Sequence, residues 1–211
     1  MNPQGINKDV TIDDLNHTLK NILTLEHPYK IEIEKIIEIE GISVIGHYIM
    51  TIANRAISIN RGFVTLFESN NYQAALLLIR IQIDNCLRLF ALSLHKNPTE
   101  FYSKVLNGEH IRNMLDREGN RMTDEYLVSK IDKIFPLFKS LYKIMSGHIH
   151  FSKRHFEFNT KSNDNNLYIS VGDIDELEIY EKVDYCFNMF LVGKDLLTLI
   201  SQYRLELKEM G

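Results

Sequence analysis

The sequence predicts a mainly α protein, an antiparallel helical bundle with one small β-hairpin inserted near residues 154-171. Three observations carry that expectation. Apolar residues recur every three or four positions through most of the chain, as in Ile45, Ile49, Ile52, Ala56, Ile59, Phe63 and Leu66. Capping residues stand where such runs begin: Thr11 ahead of Asp13 and Asp14, and Thr123 ahead of Asp124 and Glu125. The third is the stretch Tyr72 to His95, too apolar for a surface helix yet carrying Arg80, Asp84, Arg88 and His95. At about 100° per residue these four fall within roughly an 80° arc. Charges left unpaired in a core are costly, so the stripe must face a partner helix, a second subunit or a wet cleft.

In chain order, Leu15, Leu19, Ile22 and Leu23 follow the Thr11 cap at helical spacing, and His27-Pro28 is expected to break that helix. Tyr29 to Glu40 mixes the two periods: Ile31 and Ile33 alternate like a strand, whereas Ile33, Ile36 and Ile37 follow a helix. We read it as a helix ending near Gly41. A long helix over residues 42–69 sets its apolar face against a polar one, of which Arg55, beside Ala53, Ala56 and Ile57, is the member expected to turn inward. Asn70-Asn71 is a short turn that folds this helix back along the Tyr72–His95 helix.

Asn97-Pro98 ends the central helix, a short one runs to Leu106, and residues 109–123 read as an exposed, charged excursion. From Thr123 a single helix is expected through Leu127, Ile131, Ile134 and Leu137, with Pro136 free to kink it, to Ser146-Gly147. Phe156 and Phe158 then alternate with His155, Glu157 and Asn159, and residues 167–171 alternate again, giving the hairpin. Asp173 and Glu176 form a capping box for a last helix to about Glu209, with Leu177, Tyr180, Val183, Phe187, Phe190, Leu191, Lys194, Leu197 and Ile200 along one stripe. The whole, 1-211, reads as a single domain: an N-terminal helical arm, 1-40, on a bundle core, 42-209.

Composition narrows the function. A hydrophobic share of 45% and a charged share of 25% are those of a globular protein with a sizeable core. The net charge of -4 argues against an open duplex-coating DNA binder, but leaves room for a local basic cleft for single-stranded nucleic acid or a nucleotide. Cys86 and Cys186 lack CxxC or zinc-ligand spacing and read as buried free thiols. There is no signal-peptide pattern at the N-terminus, and Arg80 and Asp84 interrupt the best apolar run short of the roughly 18 to 20 residues a bilayer requires. A cytoplasmic protein without membrane association is the expectation.

Two constellations carry chemistry. Arg80, Asp84 and Arg88, at i, i+4 and i+8, either form a self-satisfied salt-bridge ladder that fixes helix register, or present one guanidinium to a phosphate while Asp84 holds the other. His148, His150 and His155 crowd one segment with Lys153 and Arg154. One of these imidazoles can serve as an acid or base near neutral pH beside an arginine-held phosphate. The alternatives are a metal site on His148, His150 and His155, or a structural hairpin entrance. No glycine-rich phosphate loop, nucleophile elbow or dinucleotide fingerprint is present, and no cofactor is expected.

Arg88 and His95, with six residues between them, match the Arg-x(4–6)-His motif, and with the helical-bundle architecture the chain resembles the HEPN superfamily. RxQxDxxxR, Arg80 to Arg88, followed by YxxxSxxxHxS at Tyr142, Ser146, His150 and Ser152, is similar to uncharacterised bacterial helical proteins near that group. The resemblance spans roughly residues 42–155. It implies a homodimer of defence or toxin type, an antitoxin or defence partner, and metal-independent RNA cleavage through the 2′-hydroxyl, or a degenerate non-catalytic form. On this reading Arg80 or Arg88 steadies the phosphorane-like charge, Asp84 orients them, and His95, His148 or His150 moves the proton. Arg55, Tyr142, Ser146, Ser152 and Arg154 then contact the substrate. The competing functions are a non-catalytic dimeric interaction module and a metal-dependent hydrolase on the histidine cluster.

Overall fold

The computed structural model describes residues 9–153, 155–156, 160–163, 166–169, 171 and 177–210. It is mainly helical. The elements are α1 (Ile12–Thr24), α2 (Glu26–Glu40), α3 (Val44–Glu68), α4 (Tyr72–Leu94), α5 (Pro98–Leu106), a 3-10 turn (Ile111–Asn113), α6 (Asp124–Ile131), α7 (Phe138–Ile149), β1 (Thr160–Asn163), β2 (Asn166–Ile169) and α8 (Ile179–Met210). Arg154, Glu157, Asn159 and the Asp173–Glu176 capping box lie outside the described residues.

Side-chain caps set helix starts among the described residues, Thr123 included, which accepts from the Tyr126 N–H at the start of α6. Thr11 accepts from the Asp14 N–H and Asp14 bonds back, a complete capping box. Ser43, Asn71 and Asn97 each accept from the backbone N–H three residues on. Pro28 does not break α1. The chain turns at Leu25, which keeps a right-handed helical conformation, and Pro28 falls in the first turn of α2, where its missing N–H has no intrahelical acceptor to lose. The expected single helix after Thr123 is two. α6 stops at Ile131, Leu137 takes a left-handed φ of 76°, and the Asp132 carboxylate accepts from the Lys139 N–H at 2.9 Å as α7 begins. Pro136 therefore interrupts the helix rather than kinking it. α7 runs past Gly147 to Ile149.

α4 is the centre, packed against α3, α5, α6, α7 and α8. Its inner face and the predicted face of α3, from Ile45 to Phe63, are buried together. α1 and α2 are part of this core. Ile22, Tyr29 and Ile36 are fully buried, and both helices pack on α3 and α8. The Tyr29 hydroxyl donates to the Gly193 carbonyl at 2.6 Å. At Gly193 an added Cβ would come within 2.5 Å of Leu25 Cδ1, so this glycine lets the Leu25 side chain, at the turn between α1 and α2, pack directly on α8. The buried stripe of α8 is not the expected one. It runs through Val183, Cys186, Met189, Val192, Leu196 and Ile200, leaving Tyr180 and Phe187 at the boundary. α8 is apolar over much of its circumference, so periodicity alone did not fix its inner face. Cys86 and Cys186 are free and buried.

The excursion over residues 109–123 is tied down rather than loose. Met114 and Met122 enter the core, and Leu115 bridges to Arg121. The Asp116 carboxylate accepts from the Glu118 and Asn120 N–H groups and from the Tyr126 hydroxyl. Burial pushes that carboxyl up, but these hydrogen bonds outweigh it and hold it at about 2. The Arg117 N–H closes the end of α4 by donating to the Leu94 carbonyl at 3.0 Å.

β1 and β2 pair antiparallel, with Thr160 opposite Ile169 and Asn163 opposite Asn166. His155 and Phe156, expected at the start of the first strand, are helical instead, as is Lys153 just before them. Among the described residues no helix is long and apolar enough to cross a membrane.

One carboxyl in α8 makes stability depend on pH. Asp195 faces a narrow slot beside Pro136, Phe138, Leu141 and Leu191. Burial raises its carboxyl from the ordinary 3.8 to about 6, against the pull of Lys194. The folded state holds this proton longer than the unfolded chain, so the contribution is complete below about 3.8 and lost as pH rises through about 6. Asp195→Asn should raise the Tm near pH 7.5 and leave it almost unchanged near pH 4. Equal shifts at both pH values would count against it.

Candidate functional site

The charged stripe of α4 finds its partners in α3, α6 and α7. Arg88 Nη2 lies 2.6 Å from Asp84 Oδ1 and 3.0 Å from Asp124 Oδ1, so one guanidinium is shared by two carboxylates. Burial works against the Arg88 charge, but Asp84 and Asp124 outweigh it and the guanidinium pKa is raised. Asp84 also reaches Arg55 at 3.5 Å, and Arg55 Nη1 donates to Asn85 Oδ1 at 2.6 Å, so Arg55 does turn toward α4. Arg80 lies deeper. Its guanidinium sits 4.3 Å over the Tyr142 ring, donates to Ser146 Oγ at 3.3 Å, and reaches Asp124 Oδ2 at 3.5 Å. Tyr142 and Ser146 are thus brought to the stripe, because α7 packs along α4.

Asp124 is the member that sequence reading missed. As a first-turn acid behind the Thr123 cap it looks like helix decoration. The one signal available was charge balance: the arginines of the stripe outnumber its acids. In the folded cluster three guanidinium groups (Arg55, Arg80, Arg88) meet two carboxylates (Asp84, Asp124), leaving an excess of one positive charge.

The histidines go elsewhere. His95 is the C-cap of α4; its Nδ1 accepts the Asn97 N–H at 3.1 Å and its ring packs on Phe101. His148, 4% exposed, meets the Tyr185 ring edge-on. His150 caps α7 and is exposed. His155 accepts the Ser152 N–H and stacks on Phe151, while Ser152 Oγ donates to the Gly147 carbonyl at 2.6 Å. Among the described residues no group of three or more His, Cys, Asp or Glu side chains could hold a metal ion. Arg154 lies outside the described residues.

Arg88 and Asp124 form part of the lining of an open cleft of about 710 Å³. Val105 and Ile111 supply apolar wall, and Glu109, His110, Arg112 and Thr123 complete it. The volume is within the range of roughly 300 to 1,000 Å³ common for small-molecule sites. His110 and Arg112 come from the charged excursion, where no periodicity marked them. The tethering of that segment through Met114, Asp116 and Met122 keeps them in the same lining as Arg88.

No family model, curated protein or solved structure matches this chain. The site therefore stands on its own geometry.

Proposed function

We propose that this is a HEPN-like, RNA- or nucleotide-directed protein of defence or toxin type, and that its cleft takes the ligand through a phosphate held by Arg88 and Arg112. The observation that supports the reading is an arginine anchored by two acids inside an open cleft, with a second arginine, an imidazole and an apolar wall in the same lining. Anchoring removes side-chain freedom before the ligand arrives, and a guanidinium suits a phosphate's paired oxygens. Val105 and Ile111 offer the face a base needs. In the catalytic form of this reading His110, the imidazole of the cleft, moves the proton, since His95, His148 and His150 are engaged or placed elsewhere.

The test is anisotropy of an end-labelled RNA pool, and of a labelled nucleotide, in EDTA. Arg88→Ala and Arg112→Ala should each weaken binding roughly ten- to a hundredfold, the range of one charge-assisted hydrogen bond. His110→Ala should keep binding and remove any cleavage. Binding indifferent to both arginine variants overturns the proposal. It would favour the second reading, a non-catalytic interaction module, which the mutual pairing of Arg80, Asp84, Arg88 and Asp124 supports. There Arg88→Ala lowers the Tm and has no ligand to lose.

A further inference from the structure

We propose that the slot between α7 and α8 binds a linear aliphatic polyamine, with one terminal ammonium at Asp184 and the other at Asp195. α7 and α8 both pack closely on α4 and only sparsely on each other. The furrow left between them is walled by Leu137, Phe138 and Leu141 on one side and by Phe187 and Leu191 on the other. Leu137 and Phe187 are 42% and 36% exposed, so the rim is open to solvent. Two acids stand in this apolar lining. Asp184 and Asp195 are eleven residues apart on α8 and both line the slot. Eleven residues make about three helical turns, which puts the two on one face, roughly 16 Å apart along the axis.

Asp195 has neither an ion pair nor a hydrogen bond among the described residues. Its neighbour Lys194 goes elsewhere, with Nζ 5.7 Å over the Phe190 ring. Burial raises both carboxyls, as it does for an acid that lacks a cation in apolar surroundings. Shape then selects what joins the two charges. The slot holds about 50 Å³, well below the roughly 300 to 1,000 Å³ of sites for compact ligands. It therefore admits a thread rather than a ring. A run of methylene groups buries apolar surface against Phe138, Leu141 and Leu191. Asn188 donates to the Asp184 carbonyl at 2.9 Å, which leaves its own side-chain carbonyl to accept from an inner ammonium. The exposed Phe187 ring adds a cation–π partner. The span between the acids matches an extended tetra-amine such as spermine and exceeds a short diamine such as putrescine. A single metal ion cannot bridge carboxylates so far apart. The slot shares no lining residue with the Arg88 cleft and holds whatever that cleft takes.

Isothermal titration of the whole chain, freed of nucleic acid, with spermine, putrescine or magnesium chloride near pH 8 decides it. Spermine should bind as one molecule per chain and raise the Tm. Putrescine should bind ten- to a hundredfold more weakly, the range of one charge-assisted hydrogen bond, and Asp184→Asn and Asp195→Asn should each weaken spermine by that factor. Both substitutions keep the side-chain shape, and Asp195→Asn is itself expected to raise the Tm at this pH, so loss of binding there is not loss of fold. Glu206→Gln, at an exposed position of α8 outside the slot, should leave spermine affinity unchanged. Spermine affinity indifferent to both aspartate variants overturns the proposal, as does putrescine binding as tightly as spermine. An equal loss in Glu206→Gln, or displacement of spermine by an equal concentration of magnesium, also overturns it, since either would reveal only diffuse attraction to a chain of net charge -4.

Discussion

Replacing Asp124 by asparagine is expected to tighten anion binding and weaken the fold in the same molecule. Asp124 accepts from Arg88 at 3.0 Å and lies 3.5 Å from Arg80, at the mouth of α6. Asparagine keeps the shape and loses the charge. Arg88 still has Asp84 at 2.6 Å, but Arg80, whose side chain is 12% exposed, is left with the Tyr142 ring and the Ser146 hydroxyl. That loss costs about 1–3 kcal/mol, visible as a lower urea midpoint. The local balance moves from three guanidinium groups against two carboxylates to three against one. A phosphate then meets an Arg88 it no longer shares with Asp124, and affinity should rise about tenfold with a steeper salt dependence. A purely structural cluster predicts the stability loss alone. Neither effect appearing would mean that Asp124 is idle in solution.

Asn85→Leu should have the larger effect on the fold. A chain of amides crosses the α3–α4 interface: Arg55 donates to Asn85 at 2.6 Å, Asn85 to Gln82 at 2.9 Å, Gln82 to Asn60 at 3.3 Å, and Asn60 to the Ile22 carbonyl of α1 at 3.4 Å. Gln82 and Asn85 are fully buried. Leucine takes the place of one link and leaves the Gln82 carbonyl without its donor and Arg55 without its shortest acceptor, at a cost of about 2–4 kcal/mol. Because the two residues belong to one network, the costs of Gln82→Leu and Asn85→Leu should not add in the double variant. Strict additivity in denaturation would show the links acting independently.

What could be read in advance divides along physical lines. Helix starts at Thr11 and Thr123 were legible because capping is local, and the α3 face because a helix half in solvent shows its period. Leu127, Ile131, Ile134 and Leu137 kept that period across a real break, so the turn between α6 and α7 left only Pro136 as its sign. Pro28 misled in the opposite direction, since a proline in a first turn and one in an interior look alike until the boundary is known. In the site, Arg80, Asp84 and Arg88 share a helix and their spacing is visible. Asp124 is 36 residues from Arg88, and His110 and Arg112 depend on how an irregular segment is tethered; no spacing rule reaches such partners. Asn60, Gln82 and Asn85 resemble solvated polar positions until two helices are laid together.

The packing of α1 against α8 also orders events in time. Residues 12–24 complete their core contacts only when residues 179–210 have arrived, so during synthesis the apolar sides of α1, α2 and α4 emerge long before their cover. Helical hairpins such as α3–α4 close early because their contacts are near in sequence, whereas docking α8 closes the longest loop in the chain and should come last. The vulnerable species is then a nascent chain with its first helices formed and Ile22, Tyr29 and Ile36 still bare, and chaperone dependence or co-translational aggregation should track the rate at which the last helix is delivered.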